Sequence, residues 1–262
     1  MAKAGTSIIR WEDTLAADAK LAAVVEANTG LGNFISTRGG LQYAGAPIPG
    51  NKMNAIILDH IAANLYYAEK FDPDDRASPT CYAYGHAQPD GTMPDMKPHE
   101  KASEPQHEKC AGCQWDAWGT ADNGKGKACK NVRRLALIHA DVLQGKVKDI
   151  GDIIRKSPVA FLNIPVTSVG GWANYVRSLA NVMKRPPYAV VTTIEWVTDP
   201  KTQFKLLFSA GAKITDTAAL TALKELNTKY AVDIMFPYPA NEERATRSKS
   251  RKAPAKKKAG RR

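Results

Sequence analysis

A chain of 262 residues, 44% hydrophobic and 24% charged, can bury a sizeable core in one large domain or two small ones. No aliphatic run approaches the roughly 20 apolar residues of a membrane helix. Residues 1–10 hold no apolar signal core, so the expected location is the cytoplasm. The formal net charge of +11 is concentrated at one end: ten Lys and Arg and no acid lie between residues 244 and 262, which leaves 27 of the 37 basic residues against all 26 acids elsewhere. Residues 239–262 therefore read as a disordered basic tail, either solubilising or held to a phosphate backbone by counterion release.

In chain order, residues 11–28 have the period of an amphipathic helix, with Leu15, Ala19, Ala22 and Val25 on one face, ended by Gly30 and Gly32. Residues 1–30 are expected to pack on the core as an N-terminal helix. Short extended segments follow at 33–37, 41–43, 51–59, 64–69 and 80–84, punctuated by Gly and Pro as in a barrel or sandwich. Residues 85–130 are polar and lack periodicity, a length of loop that a compact domain rarely leaves unorganised. Strands are expected at 132–139 and 158–166, then a helix capped by Ser168 and running to Lys184. A hairpin at 188–198 and 204–209 turns on Asp199-Pro200-Lys201-Thr202, and a last helix over 215–230 turns Leu220, Leu223 and Leu226 inward. The expected fold class is β-rich α+β, with residues 31–238 as one core built on an OB-like five-stranded barrel with helical additions.

The chain has four cysteines, Cys81, Cys110, Cys113 and Cys129. Cys110-Ala-Gly-Cys113 has the knuckle spacing at which two thiolates reach one ion, and the other two bracket it. Four soft ligands close a tetrahedron and leave no open position, so the expectation is a structural Zn2+ site that organises an insertion over about 81–130. A thioredoxin-like redox pair is the rival reading, but no βαβ pattern surrounds the motif. His86, His99 and His107 share the segment, and His107 lies close enough in sequence to replace one cysteine.

Gly119 to Lys125 nearly matches a nucleotide-cradling loop, but Gly126 stands where the magnesium-binding hydroxyl belongs and no hydrophobic strand leads in. The same stretch suits single-strand binding. Lys125, Lys127, Lys130, Arg133 and Arg134 put five cations within ten positions, just after Trp115 and Trp118. Cationic grooves and stacking rings are the two devices that hold unpaired strands without reading sequence. Tyr66 and Tyr67 with Tyr82 and Tyr84 form a second candidate platform, although strand alternation buries about half of any such set. No HExxH motif and no complete dinucleotide fingerprint is present, since Gly30-Leu-Gly32 lacks its third glycine. Asp72, Asp74 and Asp75 read as a solvated turn. No catalytic residue is expected.

Taken in order, Ser78-Pro-Thr-Cys81, Cys110-Ala-Gly-Cys113, Gly124-Lys-Gly-Lys-Ala-Cys129 and Arg133-Arg134-Leu-Ala-Leu resemble a group of tailed-phage single-stranded DNA-binding proteins. More distantly the pattern is similar to the helix-destabilising protein of T-even phages, in which a zinc subdomain is inserted into an OB-fold. The resemblance spans roughly residues 34–208 and implies the four cysteines as metal ligands, single-stranded DNA as partner, and replication or recombination proteins as further partners. It departs at the end: proteins of this group usually finish in an acidic tail, whereas this chain finishes in Arg261-Arg262. The alternative is a zinc-ribbon architectural or transcription-regulating protein that binds duplex DNA.

Overall fold

The structure is a computed structural model and describes residues 33–69, 78–88, 90–122, 124–144 and 149–238. The expected N-terminal helix, the turn with Asp72, Asp74 and Asp75, and the basic tail lie outside these residues.

Among the described residues the fold is β-rich α+β: one nine-stranded sheet curled into a half-barrel, with three α-helices. The strands are β1 (Phe34–Ser36), β2 (Gln42–Tyr43), β3 (Ala46–Pro47), β4 (Lys52–Tyr66), β5 (Cys81–Gly85), β6 (Lys130–His139), β7 (Ala160–Ile164), β8 (Val190–Asp199) and β9 (Gln203–Lys213). The helices are α1 (Ile150–Lys156), α2 (Val166–Ser178) and α3 (Thr217–Asp233). Sheet order is β3-β2-β1-β7-β6-β4-β8-β9, and every pairing is antiparallel except β1 with β7. Nine strands stand where five are expected. No helix among the described residues is long and apolar enough to cross a membrane.

Strand β4 organises the sheet. One edge pairs with β6 along most of its length; the other pairs with β8 over Lys52–Ala55 and with β5 over Ala62–Tyr66. The segments expected at 51–59 and 64–69 are thus one strand, whose apolar alternation is broken in sequence by Asp59 and His60. The break is a bulge, where the register with β6 shifts between Ile57 and Asp59. An extra residue reverses the alternation. Ile57 therefore packs in one core with Trp172 and Tyr175 of α2, while Ile61 packs in the other with Ile154 of α1 and Leu223 of α3. Asn227 of α3 donates to the Leu58 carbonyl inside the bulge (2.8 Å), and the Asp59 carboxylate accepts from the His60 amide (2.8 Å).

Helix α2 begins at Val166 after Pro165, and its expected cap, Ser168, has another task. Ser168 is buried, and its hydroxyl accepts from the Leu206 amide of β9 (2.9 Å), locking helix to sheet. A π-turn (Leu179–Met183) carries α2 on to Lys184 in the left-handed conformation. The β8–β9 hairpin turns where expected, because the Asp199 carboxylate accepts from the Lys201 and Thr202 amides (3.0 and 2.9 Å). Helix α3 is capped by Asp216, which accepts from the Ala219 amide (2.7 Å). It buries Ala219, Ala222, Leu223 and Leu226, with Leu220 at the margin.

Trp172→Ala should be the most costly single truncation on the α2 face, since that ring is buried against Tyr175, Phe208 and His60. A loss of about 3–5 kcal/mol is expected from a urea unfolding curve. Asn227→Ala, which orphans the bulge carbonyl, should cost about 1–3 kcal/mol.

Candidate functional site

The cysteines meet at the far end of β4. Cys81 opens β5 opposite Tyr66, and Cys129 immediately precedes β6, whose Lys130 pairs with Leu65. Two sheet neighbours thus deliver two thiols beside the end of β4. Cys110 and Cys113 come from a turn closed by the Cys113 amide on the Cys110 carbonyl (3.2 Å), with the Cys110 amide bound to Met96 (2.8 Å). Gly112 has φ +82°, a conformation that an L side chain rarely adopts, so glycine suits this knuckle.

All four thiols are free and half-buried, and all four line one cavity of about 20 Å³ with Asn64 and Tyr66. That is room for a single water-sized or ion-sized guest. Burial pushes the Cys129 thiol up to about 12, reinforced by Asp116 and the other three sulfurs. Burial also raises Cys110 and Cys81, opposed in part by the Asn64 side chain at Cys110 and by the Gln106 backbone at Cys81. Among the described residues no three Cys, His, Asp or Glu side chains already form a metal cage. The donor chemistry nevertheless fits a thiophilic cation, because four thiols share one small cavity.

The histidines divide. His107 lines the same cavity, with its Nδ1 on the Lys109 carbonyl at 2.8 Å. His86 joins the Asp59 carboxylate of the bulge (2.8 Å), fastening the start of the insertion to β4. His99 stacks on Tyr82.

The segment expected to need outside order is held by a short helical turn (Gln114–Asp116), a bridge from Ala83 to Pro98, and side-chain bonds. Asp116 accepts from Lys127 and Asn131 (both 3.0 Å), and Asn131 donates to Asn64 across the β4–β6 ladder (2.8 Å). This polar chain escaped the sequence reading, because three scattered Asn and Asp residues carry no spacing signal. The glycine loop is not a phosphate cradle: the Gly119 amide bonds to Gly126 (2.8 Å) and the Gly124 amide to Ala121 (2.7 Å).

The candidate nucleic-acid residues fall in separate places. Trp118 is 81% exposed and lies against Gly126, between Lys125 and Lys127 in the chain. Lys130 is exposed, its ammonium on the Lys127 carbonyl, whereas Lys127 is half-buried in its Asp116 ion pair. Trp115 stacks on Tyr66 at 5.0 Å and donates to Gln106, so these two rings partner each other; Tyr67 is 41% exposed. Adjacent strand residues face opposite ways. Arg133 is half-buried with its guanidinium on the Val132 carbonyl. Arg134 is on the other face, fully buried among Tyr84, Phe34, Phe236 and Tyr238. Tyr82 is also buried, at 2% exposed. One surface therefore does not contain all five cations, nor all four tyrosines. Comparison with known protein families, curated proteins and solved structures finds no match.

Asp116→Ala removes the shared acceptor of Lys127 and Asn131. It should speed amide exchange across residues 114–131 while leaving the α2 face unchanged, at a cost of about 1 kcal/mol.

Proposed function

We propose that the chain is a non-catalytic single-stranded DNA-binding protein whose Cys81–Cys129 insertion is held by one Zn2+. The observation that carries the reading is the insertion's outer surface: a tryptophan exposed to 81% and set against Gly126, in a stretch of chain where Lys125 and Lys130 are also exposed. An exposed indole on such a loop offers a face on which an unpaired base can stack. The basic tail supplies the sequence-independent electrostatic part. Cys81, Cys110, Cys113 and Cys129 would hold the zinc. The ion would supply charge that stabilises four thiolates in a cavity where burial otherwise keeps them protonated. In this reading the curled sheet is an elaborated OB-like barrel, supported by a long bulged strand shared by both halves and a helix between β7 and β8.

Elemental analysis of the purified chain should give one zinc per molecule, and Cys113→Ser should lower that content. Loss of the metal should loosen the insertion before the sheet, which has its own buried cores. Zinc-free protein with unchanged exchange across the insertion would remove the metal from the reading.

Oligothymidylate titration should show tighter binding than to duplex of equal length. Trp118→Ala should weaken it by about 1–3 kcal/mol at all salt concentrations. Deleting residues 244–262 should flatten the salt dependence while keeping the single-strand preference. Equal or stronger duplex binding, lost with the tail, would favour the architectural alternative.

A further inference from the structure

Arg134 is fully buried in the middle of β6, and no carboxylate pairs with it among the described residues. Its Nη1 donates to the Ile234 and Phe236 carbonyls (3.1 and 3.0 Å). Among the described residues its Nε and Nη2 have no hydrogen-bond partner, and neither does Oδ1 of Asn163, the residue opposite Arg134 on β7. The unpaired Nε–Nη2 edge is the side of a guanidinium that grips phosphate or carboxylate through two parallel bonds. Burying such a cation against carbonyl dipoles and ring faces leaves its strongest bonding capacity unused.

The cover is a short strap, residues 234–238, that follows α3 and forms no strand. Phe236 packs its ring edge-on against both Phe34 (5.7 Å) and Phe161 (4.8 Å), which also touch each other (5.8 Å), with the guanidinium 4.5 Å from its centroid. Its carbonyl accepts from both Arg134 and the Tyr84 hydroxyl (3.1 Å). Tyr238 completes the cover, its hydroxyl accepting from Asn163 (3.3 Å) and its ring edge-on to Tyr82. The strap therefore offers the sheet a flat ring with an acceptor oxygen beside it, received by a slot of rings, an arginine and a tyrosine hydroxyl. A nucleotide presents the same pair, a base and a phosphate oxygen. The ten cations of residues 244–262 follow the strap in the chain.

We propose that this face of the sheet is a second nucleotide-binding site, on the opposite side from Arg133, and that the strap occupies it in place of one nucleotide. Once the strap lifts, a base takes the place of the Phe236 ring and a phosphate takes the place of the Phe236 carbonyl on Nη1 of Arg134, reaching on to the unpaired part of the guanidinium. The inference rests on the single-strand reading above.

Affinity for a short oligothymidylate, measured by fluorescence anisotropy on the full chain, tests it. The double variant Phe236→Ala/Tyr238→Ala should bind about tenfold more tightly, as when a minority open state of roughly one-tenth occupancy becomes dominant. Adding Arg134→Gln should abolish the gain. A folded double variant with unchanged or weaker binding, or a gain that survives Arg134→Gln, overturns the second site while leaving the first reading intact. Absence of oligothymidylate binding in the wild type and both variants overturns the single-strand reading itself. Amide exchange on the unmodified chain decides the matter if the variants do not fold. Residues 234–238 should exchange faster with oligothymidylate bound, and unchanged or slower exchange refutes the proposal.

Discussion

Strand β4 must satisfy two separate cores and three neighbouring strands with one continuous backbone, and the bulge at Ile57–Asp59 makes that possible. Without the extra residue, strict alternation would send Ile61 to the same side as Ile57. The α1–α3 core would then lose a central contact, and the residues beyond the bulge would face the wrong layers. Every position after it depends on this phase shift: Asn64 and Tyr66 at the cysteine cavity, and Ala63 and Leu65 packed with Tyr82. The bulge is also tied down from both flanks, by Asn227 from α3 and by His86 from the start of the insertion.

That phase shift links the sheet to the cysteine site. Cys81 and Cys129 need no loop geometry of their own to approach each other, because β5 and β6 are the two neighbours of the same strand end. Only the Cys110–Cys113 knuckle has to be brought in, and the Asp116, Asn131 and Asn64 chain of hydrogen bonds brings it. A buried polar chain of this kind is fully satisfied or costly. Arg134 is the exception on the opposite face, a charge that among the described residues is held by ring faces and carbonyls without a carboxylate.

Much of this was legible in the sequence where local chemistry decides the outcome. The β8–β9 turn and the start of α3 depend on Asp199 and Asp216, whose short carboxylates act within three residues. The apolar runs at 132–139 and 158–166 mark β6 and β7 to within two residues at every end. What was not legible is set by distant partners. Asp59 and His60 look like a break between two strands, because the bulge that accommodates them is visible only against β6 and α3. Ser168 looks like a cap because nothing local reveals Leu206. Arg133 and Arg134 look like one basic patch until strand alternation places them on opposite faces, and the aromatic cover of Arg134 comes from about 100 residues further along.

The order in which the sheet is completed has a consequence for synthesis. Strand β4 emerges from the ribosome early, yet its first long partner, β6, begins at Lys130, and the strand that covers its other edge near Lys52 begins at Val190. The parallel seam joins Phe34 to Phe161, so the β1 edge also waits for more than a hundred residues to follow it. During that interval a fifteen-residue strand rich in Ile, Leu and Ala has its β6 edge open and its other edge covered only by β5 over Ala62–Tyr66, a state in which nascent chains can pair with one another. Asp59 and His60 then have a second use in the unfinished chain. At the centre of that apolar run they interrupt it with a carboxylate and an imidazole, the kind of gatekeeper that discourages edge-to-edge association until β6 arrives.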